Sequence, residues 1–290
     1  KTIYADVNAL RDFGMDIILQ RGPGGGYSVA SRDFELAELK LLVDAIECSR
    51  FITEKKSREL IRKLESLASR SEARELQRQV YVSDRLKNID EKIYYNIDAL
   101  HRAISKGVQI RFLYFNWALD FNRPDKIYRE FRHNSEFYCV SPWALTWDNE
   151  NYYLIAYDAS APEGSRIRNY RVDKMEKIQL TDKRREGAQH FRDNFSPAAY
   201  SRKMFGMFTG HEERVRLRCR KDAINILRDR FGKELMVQPD DGAHFFASVT
   251  VALSPQFYAW VVGLNGAVRI VGPQSVCEAF RKLLLEQLEE

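Results

Sequence analysis

The sequence predicts a mixed α+β chain of several domains, and three observations carry the prediction. Residues 1–30 read as one helix followed by a glycine-rich hairpin. Helical periodicity over 34–79 gives way, after Val108, to short runs with a period of two. Residues 213–290 then alternate strand-like and helix-like segments. At 290 residues the chain has room for two or three ordinary domains.

The first segment runs KTIYADVNALRDF. Ile3, Val7 and Leu10 recur at i, i+4 and i+7, which predicts one apolar face. Lys1, Tyr4, Asn8 and Arg11 fall on another face, and Gly14 stops the helix. Met15–Gln20 is a strand-like run, Arg21–Tyr27 (RGPGGGY) a basic, flexible tip, and Ser28-Val29 the returning strand. A helix followed by a hairpin with such a tip is the geometry of a winged helix-turn-helix, which reads double-stranded DNA. The candidate DNA contacts are Lys1, Thr2, Tyr4 and Asn8 on the helix, with Arg21, Gly24 and Tyr27 on the wing. A glycine run also serves as an ordinary turn. This one is neither a P-loop nor GxGxxG, since Tyr27 stands at the last position.

Between 34 and 79, Leu36, Leu39, Leu42, Val43 and Ile46 form one stripe and Leu60, Ile61, Leu64 and Leu67 another. Asp33 and Thr53 are the expected N-caps. Val80 to Ile93 is polar and mixed, a linker with a short strand. Ile97, Leu100 and Ile104 give a short helix ending at Gly107. Strands are expected at 109–115, 136–141, 144–147, 152–157 and 167–172, separated by turn signals at 122–125, 148–151 and 162–164. Five short strands at this spacing suggest a small, strongly bent barrel or sandwich.

The last segment reads as strand 214–220, helix 222–231, strand 245–253, helix 257–264, strand 268–271 and helix 276–288. That order suggests a ferredoxin-like α+β module.

Two sets of residues carry a family resemblance. The register TIYADVNALRDFGMDI…RGPGGGY resembles the recognition helix and wing of bacterial DeoR-type regulators that carry a WYL domain. The resemblance implies that the chain starts inside the motif, with about two further helices expected before Lys1. Ser141–Trp147 (SPWALTW), Tyr152–Asp158 (YYLIAYD) and Arg168–Met175 (RNYRVDKM) are similar to the signature series of the WYL domain itself, with Tyr152-Tyr153-Leu154 in place of Trp-Tyr-Leu. That implies an Sm-like, SH3-type β-barrel. The final segment, with Trp260 and Pro273, resembles the extension that follows such domains. The expected organisation is a partial winged helix-turn-helix over 1–30 and a helical connector over 31–93. A WYL barrel follows over 94–182, a basic linker over 183–212 and a ferredoxin-like extension over 213–290.

Composition narrows the function classes. No apolar run reaches the roughly 20 residues of a membrane span, and no signal-peptide pattern opens the chain. Cys48, Cys139, Cys219 and Cys277 are scattered, which argues against a metal centre or disulfide scaffold and fits the cytoplasm. The five histidines show no paired ligand spacing, and there is no GxSxG. No enzyme activity, metal or cofactor is expected. Net charge is +5, but it is unevenly spread: residues 97–182 hold 12 Lys/Arg against 12 Asp/Glu, whereas 183–232 hold 13 against 6.

Strand alternation puts Tyr153 and Tyr157 on one face and Tyr152 and Leu154 on the other. Rings beside guanidinium groups suit a stacked base and a forked phosphate. With the polar, basic pocket that the resemblance implies, the expected effector site is Tyr153, Arg168 and Arg171, joined by His133 and Ser141. Tyr152, Leu154 and Tyr170 read as core, and Asp173 either caps the next turn or satisfies Arg171. Arg214, Arg216, Arg218 and Arg220 share one strand face at roughly 7 Å spacing. They form either an ion-paired solvent face or a contact for an anion or nucleic acid. The resulting expectation is a homodimeric DNA-binding regulator whose WYL domain senses a single-stranded nucleic acid or nucleotide-like effector. The alternative is a single-strand sensor without promoter-specific regulation.

Overall fold

The computed structural model describes residues 2–29, 34–76, 91–123, 126–191 and 195–288. It is a mixed α+β chain that divides into two compact units, Lys1–Ile89 and Asp90–Glu290. Lys1, Asp33 and the 80–90 part of the expected linker lie outside the described residues.

The first unit opens with α1 (Thr2–Asp12) and the antiparallel hairpin β1 (Ile17–Gln20) and β2 (Gly26–Val29). Gly25 sits so close to the Gln20 carbonyl that a Cβ would lie 2.3 Å from its oxygen, which is why the tip needs glycine there. The Arg11 guanidinium donates to the Ile17 carbonyl at 2.7 Å, and the Tyr4 and Tyr27 rings meet edge-on at 6.4 Å. The expected apolar face of α1 is only partly used. Val7 is buried, but Ile3 and Leu10 are exposed, because the helix meets only the start of the hairpin among the described residues.

Three helices follow: α2 (Leu36–Cys48), α3 (Glu54–Glu65) and α4 (Arg70–Leu76). At the start of α2 the Glu38 carboxylate accepts the Glu35 backbone N–H at 2.8 Å. Thr53 caps α3 as its sequence position predicts, its hydroxyl accepting the Lys56 N–H at 3.2 Å. Leu39, Val43 and Ile61 are buried where the helices meet.

The second unit begins with α5 (Lys92–Lys106), which ends in a left-handed Gly107. Then come β3 (Val108–Leu119), β4 (Ile127–Phe131), β5 (Tyr138–Asp148), β6 (Asn151–Tyr157), β7 (Ile167–Arg171) and β8 (Met175–Arg184). The sheet order is β4-β3-β5-β6-β7, all antiparallel, with β8 also pairing β3. Serving three neighbours along its length, β3 curls the sheet into half a barrel, and α5 packs on β3, β5 and β8. Leu100, Ala103, Ile110, Phe112 and Leu154 are fully buried.

Three sequence expectations need correction here. Residues 136–141 and 144–147 are not two strands but parts of one, because a bulge between Pro142 and Ala144 absorbs the break in alternation. β4 and β8 were not expected, since their alternation is interrupted by charged positions. The stretch 183–212 is not a bare linker. It holds the end of β8, a 3₁₀ turn at 188–190 and α6 (Pro197–Lys203), capped by the Ser196 hydroxyl. Phe191, Met204 and Met207 of this stretch bury the outer face of β6, at Tyr153, Ile155 and Tyr157. Trp143 stacks on Phe191 at 4.6 Å.

The chain closes with β9 (Glu212–Arg220), α7 (Ile224–Phe231), β10 (Val237–Pro239), β11 (His244–Ala252), α8 (Pro255–Gly263), β12 (Val268–Gly272) and α9 (Gln274–Glu286). These strands form an antiparallel sheet in the order β10-β11-β9-β12. Val215, Leu217 and Cys219 point from β9 into a core shared with Leu227, Phe257, Val261 and Val276 of the helices. Ala252 of β11 belongs to the cluster on β6, so this layer and the curled sheet share packed residues.

Candidate functional site

A cleft of about 630 Å³ opens where β3, β5, β6 and β7 converge on the segment after α6. Tyr114, Tyr138, Tyr153 and Tyr170 form its aromatic wall. Three of the rings are interlocked: Tyr114 meets Tyr170 at 5.6 Å and Tyr138 at 6.2 Å, and Tyr138 meets Tyr170 at 5.8 Å. Such edge-to-face packing holds the wall rigid. Burial pushes the Tyr114 hydroxyl up to about 12 and raises those of Tyr153 and Tyr170, so all three are neutral hydrogen-bond donors at physiological pH.

Four cations line the cleft: Arg132, Arg168, Arg171 and Lys174. They are not equivalent. Arg171 forks onto Asp173 at 3.0 and 2.8 Å and donates to the Asn151 side-chain oxygen at 2.8 Å. Burial alone would lower its proton affinity, but the Asp173 carboxylate more than restores it. Arg168 lies 3.5 Å from the buried carboxylate of Asp158, which also accepts the Tyr170 and Ser160 hydroxyls. Arg132 and Lys174 make no ion pair among the described residues. Burial, with Arg171 and Arg132 adding to it and Asp173 opposing, pulls Lys174 below the ordinary lysine range. A half-buried ammonium beside two guanidinium groups is a site short of negative charge.

The opposite wall is the segment Gly206–Thr209. Gly206 and Met207 both adopt left-handed backbone, at φ 59° each. For methionine that conformation is strained, and it persists because Met207 is buried and anchored. The Asn169 side-chain amide donates to the Met207 carbonyl at 3.0 Å and accepts from the Tyr200 hydroxyl at 3.3 Å.

Of the expected effector residues, Tyr153, Arg168 and Arg171 are brought together, and two are not. His133 stands exposed on the turn before β5, its ring 5.3 Å from Tyr138 but outside the lining. Ser141, three positions along β5 from Tyr138, lies on the other strand face. It is buried, its hydroxyl accepting the Glu186 N–H at 2.8 Å. Asp173 does satisfy Arg171, and Leu154 and Tyr170 are core as read, although Tyr170 also lines the cleft. Sequence reasoning missed Arg132, Lys174, Asn169 and the 206–209 wall. Lys174 and Asn169 stand inside the RNYRVDKM block and were legible there. Arg132 follows a strand that was not expected, and 206–209 fell within the supposed linker.

In the first unit, Asn8, Arg21 and Gly24 are exposed, and Tyr4, mostly exposed, touches Tyr27, which is 37% exposed. The Thr2 side chain is outside what is described. The four arginines of β9 do share one face, but two are ion-paired: Arg218 to Asp240 and Asp241, and Arg220 to Asp222. No helix of the described residues is long and apolar enough to cross a membrane, and no cluster there could hold a metal ion.

Comparison with known proteins places the cleft in a family. Residues 95–180 match the WYL domain and residues 211–288 the WCX domain. No curated protein sequence matches the chain. Among solved structures, the chain is similar to proteasome accessory factor B/C (PafBC) of Arthrobacter aurescens, at 18% identity and a TM-score of 0.32. The match covers 86% of this chain but only 35% of that one. A crystal structure of a CRISPR Cas-related protein is similar at 12% identity and a TM-score of 0.39, over 88% of this chain and 70% of the other. The cleft lies within the WYL match, apart from its Gly206–Thr209 wall, and the WCX match takes in the β10-β11-β9-β12 sheet.

Proposed function

We propose that this protein is a DNA-binding transcription regulator whose WYL domain senses an anionic, nucleic-acid or nucleotide-like effector. The observation that carries the reading is the cleft itself. Four tyrosines, three of them interlocked, stand beside four cations, two of which make no ion pair among the described residues. Stacked bases and bridged phosphates are the ligand chemistry that such a lining favours. The curled sheet fits an Sm-like barrel, and the β10-β11-β9-β12 order fits a ferredoxin-like sandwich.

The first unit supports the DNA-reading half of the proposal. Its helix, exposed hairpin and basic tip are the parts that a recognition helix and wing would need. Paired half-sites in operators call for a homodimer, and a cytoplasmic location follows from the role. An effector acts by preferring one arrangement of the two reading heads, so it shifts the equilibrium only by its differential affinity.

The test is a duplex-binding titration of the full-length protein with and without a short single strand. Linkage requires the two ligands to change each other's affinity by the same factor. Unchanged duplex binding after deletion of residues 1–30 would remove the DNA-reading half. Duplex affinity indifferent to the single strand, with that strand bound, would remove the sensing half.

A further inference from the structure

The sheet of the WCX domain has one face packed on helices and one face open. On β9, Val215, Leu217 and Cys219 are fully buried, so Arg214, Arg216, Arg218 and Arg220 all point outward. Antiparallel pairing sets Thr250 beside Arg214, Ser248 beside Arg216, and Phe246 and Arg269 on either side of Arg218. An outward polar face is ordinary for an antiparallel sheet. What is unusual here is how the charges are divided.

The acids collect at one end. Asp240 and Asp241 take Arg218 at 2.6 and 2.9 Å, and Asp222 takes Arg220 at 2.7 Å. At the other end, Glu212 is paired with Lys203 and leaves Arg214 alone. Arg214 and Arg216, and Arg269 on β12 across from Arg218, have no carboxylate partner among the described residues. Arg216 instead lies over the Phe246 ring, its guanidinium carbon 4.1 Å from the centroid. Gly272, the cross-strand neighbour of Arg216, presents no side chain to cover that plane.

We infer that this face is a second nucleic-acid site, separate from the cleft, that takes a short single strand. Its phosphates run over Arg214, Arg216 and Arg269, and one base lies on the Arg216–Phe246 stack. Alternate positions on a strand are roughly 7 Å apart, close to the length of one extended nucleotide. Guanidinium planes and rings stack unpaired bases, which a duplex keeps inside its own stack. An acidic peptide would match the charge but would leave the Arg216–Phe246 plane without a ring to stack.

The experiment uses the full chain carrying R132A and K174A, so that the cleft is weakened as an anion site. A fluorescent short oligothymidylate is titrated by anisotropy. Adding R214A, R216A and R269A should weaken the remaining binding by about tenfold or more with the thermal melt unchanged. Arg216→Lys alone keeps the charge but removes the stack, and should also weaken it. Photocrosslinking with 5-iodouracil-containing strand should label the peptide that holds Phe246. Crosslinks confined to residues 114–174, or affinity indifferent to the three added substitutions, would overturn the proposal. So would equally good competition by polyglutamate, which would make the face a site for acidic protein instead.

Discussion

Asn169 ties the strand that carries the cleft's cations to the segment that forms its far wall. Its amide nitrogen donates to the Met207 carbonyl at 3.0 Å, and the same nitrogen lies 3.5 Å from the Met204 sulfur. One residue on, Phe205 enters the core of the C-terminal layer, against Phe257 and Trp260. A ligand between Arg168 and Gly206–Thr209 thus touches a segment whose other side is built into the WCX domain.

Asn169→Ala should remove that tie. The Met207 carbonyl loses a donor and the Tyr200 hydroxyl an acceptor, a loss of about 1–3 kcal/mol. Urea denaturation measures it. Hydrogen exchange over residues 204–209 should rise more than exchange in β11, because the strained left-handed Met207 has lost its anchor.

The cations of the cleft should separate into two classes. Arg171→Ala strands Asp173 and the Asn151 side chain, and should cost about 1 kcal/mol, solvent screening limiting the loss. Lys174→Ala should cost no stability, because it removes a charge that burial and Arg171 already disfavour. Thermal melts of the two single variants compare them directly. A larger loss in the lysine variant would mean that Lys174 serves the fold.

A half-buried pair of opposite charges also marks the join between β5 and α7. Burial pushes the Asp148 carboxyl up, with Arg230 opposing. Arg230 lies over the Phe205 ring at 4.1 Å and donates to the Met204 carbonyl, while its Nε is buried without a partner. A carboxyl raised by folding keeps its proton longer in the native state than in the unfolded one. Its contribution is therefore complete below the ordinary carboxylate range and is lost as pH rises through the raised value. Asp148→Asn should remove that loss. Denaturation from acid to neutral pH should show the variant gaining on the wild type over that interval and holding a constant difference above it.

Leu154 is fully buried on the inner face of β6. Leu154→Ala should cost about 2–5 kcal/mol. A shift of the urea midpoint with an unchanged slope would show a lost core contact in an otherwise intact fold.

Much of this fold was legible because periodicity is local. The change of period after Val108 and the strand–helix alternation after Glu212 both correspond to elements of the structure. What periodicity cannot see is a strand whose two faces are both covered or whose alternation is broken by charge. β8 reads as polar yet pairs along β3, and the Pro142–Ala144 bulge made one strand look like two. The cleft was half legible for a related reason. Tyr153, Arg168 and Arg171 lie on adjacent strands in two neighbouring sequence blocks, whereas Arg132 and Gly206–Thr209 arrive from distant segments that only the tertiary fold brings in. Ser141 and His133 lie outside the cleft because strand parity and a turn decide where they point.

The most direct test of the account is the salt dependence of single-strand binding at the cleft. Anisotropy titrations of a short oligothymidylate at several salt concentrations give the slope of log K against log salt, about −0.7 for each phosphate neutralised on a single strand. With the WCX face neutralised by R214A, R216A and R269A, the account predicts measurable binding with a negative slope. Adding R132A and K174A should then bring the slope close to zero and weaken binding, with the melt unchanged. A slope and an affinity that ignore Arg132 and Lys174 would contradict the assignment of the cleft as the anion-sensing site.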